Sequence, residues 1–277
     1  MRFINTTFKE NGENVKLYYE DYGKGQPLIL IHGWPLSHRM WDNQVEAFVN
    51  SGFRVVTYDR RGFGQSSKPF EGYNYDEMAT DLNALISQLN LKNVILCGFS
   101  MGGGEVARYI GRYGTKNISK AILIGSVTPF LMQTEDNKDS VDVSVFEDMK
   151  AGIRNDRADF FKGFGKNFVN FEKLNERVSS AQVDLNWNIA MQASLKATVD
   201  CVDAFGKTDF RRDLEEFDLP TLIIHGDDDS IVPFEVSGKK AIDILPNSKL
   251  HVIEGGPHGL SFTHPEELNK TILDFIK

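Results

Sequence analysis

Apolar runs rich in β-branched residues punctuate the chain, and between most of them the apolar positions switch to the three- and four-residue spacing of amphipathic helices. Residues 3–8 and 15–22, around the turn "NGEN", read as an antiparallel hairpin. After it come "PLILIHG", "RVVTYD", "NVILCG", "KAILIGSV", "TLIIHGD" and "KLHVIEGG", mostly ending in Gly or Asp. Strands alternating with helical patterns predict an α/β fold: a mostly parallel central sheet with helices on both faces. In such sheets the ligand crevice lies outside the carboxyl ends of the strands, so residues just after these runs converge on one site.

The alternation breaks between "KAILIGSV" and "TLIIHGD". That interval is too long for a loop, and the spacing of Phe160, Phe164, Phe168 and Phe171 predicts helices. The expected organisation is a sheet core over residues 1–127, a helical cap over 128–212, and the rest of the core over 213–277.

One junction carries a chemical signature. "NVILCG" reads as a strand and "MGGGEVARYIGRYG" as a helix, with Gly98-Phe99-Ser100-Met101-Gly102 between them. A strand that turns sharply into a helix strains the central residue, exposes its hydroxyl and tolerates only minimal side chains two positions away. The helix start directly after it offers unpaired N–H groups for a developing oxyanion. A P-loop is excluded, because no Lys-Ser/Thr follows the glycines. Ser100 is therefore the candidate nucleophile, and it needs a base and an orienting acid.

Of six histidines, His251 lies inside the last strand and is expected in the core or on a sheet face. His264 precedes Pro265 in a helix-start pattern and reads as a surface or capping residue. His38 sits in a polar stretch, and His32 and His225 end strands, where hydrogen bonds to loops are expected. His258 stands in the loop "GGPHGL" between the final strand and final helix, where an imidazole can reach Ser100.

The acid falls between them in chain order, in "HGDDDS". Only one of Asp227, Asp228 and Asp229 can be buried against an imidazole. Asp229 is placed first because the third residue after Gly226 has room to swing back, with Asp227 as the alternative. The triplet lacks the spacing of a calcium loop, and no Cys/His cluster suggests zinc, so no metal is expected. The Met101 N–H and the Trp34 N–H are the expected oxyanion donors. Pro35 holds Trp34 in extended conformations, and the Trp34–Pro35 bond is left open between cis and trans, base rates alone favouring trans.

Composition narrows the partners. The 277 residues are 41% hydrophobic and 25% charged, with a formal charge of -8, which disfavours a phosphate-tracking surface, so no nucleic acid is expected. Cys97 and Cys201 fall in a strand and a helix, which argues against a disulfide framework. No run approaches membrane-spanning length and the first residues lack a secretory pattern, so a cytoplasmic protein with no membrane partner is expected.

The segments "HGWP", "DRRGFGQSS", "GFSMGGGE", "LKATVDC", "TDFR", "HGDDDSIVP" and "GPHGL" resemble the branch of the α/β-hydrolase superfamily known as cofactor-free haloperoxidases or non-haem chloroperoxidases, with their aryl esterase relatives. The resemblance spans nearly the whole chain, including "MQASLKATVDCVDAF" in the cap. It implies Ser100 as nucleophile, Asp229 as acid, His258 as base, Trp34 and Met101 as oxyanion donors, and no cofactor. It also implies small esters or carboxylic acids as substrates, hydrogen peroxide as a second acyl acceptor, and a homo-oligomer. The triad alone leaves open a lactamase, amidase or carbon–carbon bond hydrolase, and a small-molecule receptor on the same scaffold.

Overall fold

The computed structural model describes residues 2–277. Eight strands form one sheet: β1 (Phe3–Glu10), β2 (Glu13–Tyr22), β3 (Pro27–Ile31), β4 (Arg54–Tyr58), β5 (Val94–Phe99), β6 (Ile118–Ile124), β7 (Thr221–Gly226) and β8 (Ser248–Ile253). Their order is β1-β2-β4-β3-β5-β6-β7-β8. Pairing is antiparallel from β1 to β2 and from β2 to β4, and parallel everywhere else. The chain thus crosses over β3 before winding outward through β5 to β8, which sets β3 and β5 side by side at the centre, with Leu28 in register with Ile95.

Two apolar layers follow from the two-residue period of the strands. Ile29 and Ile31 face one layer, with α2 (Tyr75–Gln88) and α3 (Met101–Tyr113). Leu28 and Leu30 face the other, with Phe48 of α1 (Asp42–Asn50) and, from the last helix, Leu268, Ile272 and Ile276. Because both faces are covered, the central strands are apolar throughout, as parallel sheets require.

Between β6 and β7 lie six helices: α4 (Val143–Asn155), α5 (Arg157–Phe168), α6 (Phe171–Leu174), α7 (Ser180–Met191), α8 (Leu195–Lys207) and α9 (Arg211–Glu215). Side chains end the gaps between them: Asp142, Asp156, Ser179 and Ser194 accept N–H groups at the starts of α4, α5, α7 and α8. The 131–141 stretch before α4 is irregular, pinned where Val141 donates to the Leu131 carbonyl. By α9 the chain has returned to the core, since Asp213 pairs with Arg108 of α3 at 3.0 Å. The chain closes with α10 (Gly238–Ile244), α11 (Leu260–Thr263) and α12 (Pro265–Ile276). Among the described residues, no helix is long and apolar enough to cross a membrane. Cys97 and Cys201 are both buried and unbonded.

Three features that the sequence leaves between alternatives are decided by the structure. The Trp34–Pro35 peptide is cis. His264 caps α12 and is buried, which excludes the surface position. His251 lies half-exposed on the edge strand β8, on the sheet face rather than in the core, and meets Glu267 at 3.0 Å.

Candidate active site

Ser100 sits between β5 and α3 with φ 55° and ψ -118°, a left-handed backbone that a residue with a side chain adopts only when its surroundings enforce it. The enforcement is steric. A Cβ on Gly98 would lie 2.3 Å from the Gly102 carbonyl oxygen, and one on Gly102 would lie 2.5 Å from the Ile31 carbonyl oxygen. Glycine at both positions lets the strand, the turn and the neighbouring β3 come this close.

The Ser100 hydroxyl lies 2.8 Å from His258 Nε2, and His258 Nδ1 lies 2.7 Å from Asp229 Oδ2. The carboxylate accepts the Nδ1 proton, which leaves Nε2 bare to accept the serine proton. Asp229 is the member of its triplet that turns inward: its Oδ1 accepts the Ile231 and Val232 N–H groups at 2.9 and 2.8 Å. Asp227 instead accepts from the Gly255 N–H at 2.6 Å, and Asp228 meets Asn170 and Lys173. Burial raises the Asp229 carboxyl, but the adjacent His258 ring and hydrogen bonds from His225 and His258 outweigh it and hold it well below the usual carboxylate range.

Two features of this centre go beyond the sequence reading, which expected of His225 only a hydrogen bond to a neighbouring loop. His225 Nε2 stands 2.9 Å from the Val232 carbonyl and 3.3 Å from Asp229 Oδ2, so its N–H is held between two oxygens and supports the carboxylate. The His258 ring is flanked by Phe99 at 4.8 Å and by Phe168 of α5 at 5.1 Å between centroids. Phe99 is the variable residue before the serine, and Phe168 belongs to the inserted helices, so neither spacing nor motif pointed to the imidazole.

The other strand-end histidine near the serine is structural. Burial first, and then the Arg60 guanidinium, push His32 down to about 3. The neutral ring accepts the Arg60 N–H at 3.0 Å, while the Arg60 guanidinium donates to the His32 carbonyl at 2.8 Å. Arg60 in turn pairs with Glu105 of α3 at 2.7 Å, deep in the core. This lattice anchors the start of the loop that carries Trp34. Further along the loop, His38 places both its backbone N–H and its Nδ1 on Asp59 Oδ1, at 2.8 and 2.7 Å.

Among the described residues, neither the Trp34 N–H nor the Met101 N–H donates to a protein acceptor. The Tyr75 hydroxyl secures the Met101 peptide by donating to its carbonyl at 3.0 Å. The Trp34 indole is fixed by its bond to the Thr198 carbonyl and by edge contacts with Phe161, Phe164 and Phe205. Above the serine opens a cavity of about 430 Å³. Its walls are mainly Trp34, Phe146, Phe160, Phe164, Phe205 and Ile231, with Ser100 and His258 at its floor. A nucleophile, a base and free N–H donors under an apolar pocket can carry out acyl transfer.

A family model described as alpha/beta hydrolase fold matches residues 26–265. A bromoperoxidase structure from Bacillus anthracis superposes with a TM-score of 0.96 at 51% identity, covering 99% of each chain. A non-heme chloroperoxidase of Kitasatospora aureofaciens is 40% identical over 95% of this chain and 97% of its own. A bifunctional esterase/perhydrolase of Acinetobacter calcoaceticus is 39% identical over 96% and 97%.

Proposed function

Since the chain belongs to the α/β-hydrolase family, we propose that it is a serine-dependent hydrolase of small carboxylic esters that also passes the acyl group to hydrogen peroxide. One observation carries the reading: the unbroken chain from Ser100 Oγ through His258 to Asp229, closed beneath an apolar pocket. The similarity to an esterase/perhydrolase and to a non-heme chloroperoxidase supports the choice of acceptors.

His258 Nε2 takes the Ser100 proton as Oγ bonds to the ester carbonyl carbon, and the carbonyl π pair moves onto oxygen. Asp229 holds the imidazole orientation and stabilises the imidazolium. The free Trp34 and Met101 N–H groups receive the oxyanion, where preorganised donors act at full strength away from water. Collapse expels the alcohol, which takes its proton from His258. Water or hydrogen peroxide then attacks the acyl-enzyme, again giving its proton to His258, and leaves as the acid or the peracid while Ser100 Oγ is reprotonated. A released peracid oxidises halide to hypohalous acid and is itself reduced to the carboxylic acid. The residues between 128 and 212 act as a lid, since α4, α5 and α8, together with Leu131 and Val141, supply most of the pocket wall.

The test is steady-state hydrolysis of p-nitrophenyl acetate, followed by mass mapping of a phosphonate adduct. Ser100→Ala should lower kcat by at least about 10³-fold, and the adduct should sit on Ser100. Full activity in Ser100→Ala, or labelling elsewhere, overturns the assignment. Peroxide-dependent halogenation of a dione by the wild type, lost in Ser100→Ala, tests the second acceptor.

A further inference from the structure

Three glycines of the inserted helices meet very different surroundings. A Cβ on Gly152 of α4 would meet the Phe160 ring at 2.8 Å, and one on Gly206 of α8 would meet the Phe146 ring at 2.7 Å. Those two glycines seat rings that wall the pocket. Gly163, midway along α5, is different: a Cβ there would have no atom within 4 Å. Its φ is not in the left-handed region either. Neither packing nor backbone requires glycine at this position, and glycine inside a helix weakens it relative to alanine.

What a side chain at 163 would enter is the pocket. Gly163 lines the cavity between Phe160 and Phe164, and its neighbours one turn away on the same helix face, Asp159 and Asn167, line it too. All three are exposed, while Ser100 and His258 at the floor are buried, so this face of α5 forms the rim. Val145 and Met149 of α4, which line the same cavity, repeat the four-residue spacing. Among the described residues that line the cavity, Asp159 is the one carboxylate, and the space above Gly163 is open. The cations next to Asp159 in sequence are engaged elsewhere: Arg157 donates to the Met191 and Ala193 carbonyls, and Lys162 pairs with Asp184.

We propose that Gly163 is a specificity-determining position. Its missing side chain leaves room for the arm of the substrate remote from the scissile carbonyl, and Asp159 sets the charge that arm can carry. The class favoured is esters with a bulky apolar arm, neutral or cationic, over esters whose arm bears a carboxylate. The proposal takes only the bond broken from the ester-hydrolase reading; the space and the charge belong to the pocket.

The experiment compares Gly163→Leu, Gly163→Ala and, as a matched control on the same helix, Gly165→Ala, whose Cβ would meet only Val183 at 3.9 Å. The ratio of kcat/KM for 2-naphthyl acetate and ethyl 2-naphthoate to that for ethyl acetate is measured for each. Gly163→Leu should lower the ratio about ten-fold for at least one naphthyl ester, while Gly165→Ala keeps the wild-type ratio. Both alanine variants should raise the melting temperature, because each replaces an unpacked helical glycine. Asp159→Asn should raise kcat/KM for monoethyl adipate relative to ethyl acetate, with the gain shrinking as salt is added.

Binding of 2-naphthyl acetate to the Ser100→Ala protein, with and without Gly163→Leu, gives a readout that does not need turnover. About ten-fold weaker binding in the double variant supports the pocket assignment even if the wild type hydrolyses none of these esters, which would sink the ester-hydrolase reading alone. An unchanged naphthyl ratio with unchanged binding overturns the proposal. A lowered melting temperature in Gly163→Ala does so too, since it would mean the position is packed.

Discussion

The Phe168 ring meets the His258 imidazole edge-on, with centroids 5.1 Å apart and planes at 88°. The contact joins the last turn of α5 to the loop after β8, and a backbone bond reinforces it: the Gly259 N–H donates to the Phe168 carbonyl at 2.7 Å. A helix inserted between β6 and β7 therefore braces the imidazole that faces Ser100.

Phe168→Ala should remove that brace. A buried phenylalanine cut to alanine costs about 3–5 kcal/mol, and here the cavity opens beside His258. Denaturant unfolding should show a loss of that size, and kcat for p-nitrophenyl acetate should fall more than KM rises. Unchanged kcat in folded protein would mean the imidazole is held by Asp229 and Phe99 without help from α5.

Asp229→Asn preserves shape while removing the charge that selects the imidazole tautomer. The amide oxygen can still accept from Ile231 and Val232, so the loop should remain folded. Turnover should fall on the order of 10⁴-fold, with a melting temperature near the wild-type value. Asp227→Asn should have a far smaller effect, because its carboxylate serves the Gly255 N–H.

The His38–Asp59 pair makes the stability of the Trp34 loop depend on pH. Burial lowers the His38 pKa, but hydrogen bonding and charge from Asp59 outweigh it, and the value ends above 6.5. Stabilisation by protonated His38 is therefore complete below the unfolded value and is lost as pH rises through the higher folded one. Asp59 behaves oppositely. Burial raises it, the His38 contact outweighs burial, and its lowered folded value means that its contribution is lost only in acid, as pH falls through that value. The stability difference between wild type and His38→Gln should be larger at about pH 6 than at about pH 8.5. A difference independent of pH would show that His38 is neutral throughout.

Pro35 restricts Trp34 and has no N–H of its own. Among the described residues, no backbone N–H bonds the Trp34 carbonyl, and on the proposed function this carbonyl accepts the second O–H of hydrogen peroxide. Pro35→Leu should lower the ratio of peracid formation to ester hydrolysis several-fold. Equal loss of both rates would show a general defect of the loop, and loss of neither would remove the proline from the choice of acceptor.

Strands β3 to β8 are legible in the sequence as short apolar runs, mostly ending in Gly or Asp, which a parallel sheet demands; the antiparallel pair β1 and β2 is legible from the turn between them. The bend at Ser100 is legible for the same reason. Gly98, Ser100 and Gly102 lie within five positions, and the steric demand they meet is local. The loop position of His258 also follows from its Gly and Pro neighbours.

Tertiary structure decided what depends on residues far apart in the chain. Position after Gly226 ranks Asp229 ahead of Asp227, but the contacts that separate the three aspartates are tertiary: Asp229 is buried between His225 and His258, while Asp228 reaches out to Lys173. His251 lies in a strand pattern, yet whether a strand is central or at an edge is set by sheet order, which no single segment encodes. His264 caps α12 as its helix-start pattern allows, and its burial is a tertiary outcome that the pattern does not specify. The phenylalanines at 160, 164 and 168 announced a helix, but the placement of Phe164 against Trp34 and of Phe168 against His258 arises where an inserted helix meets residues far away in sequence. Local periodicity reports the face an element must bury; the partner that buries it is chosen by the whole chain.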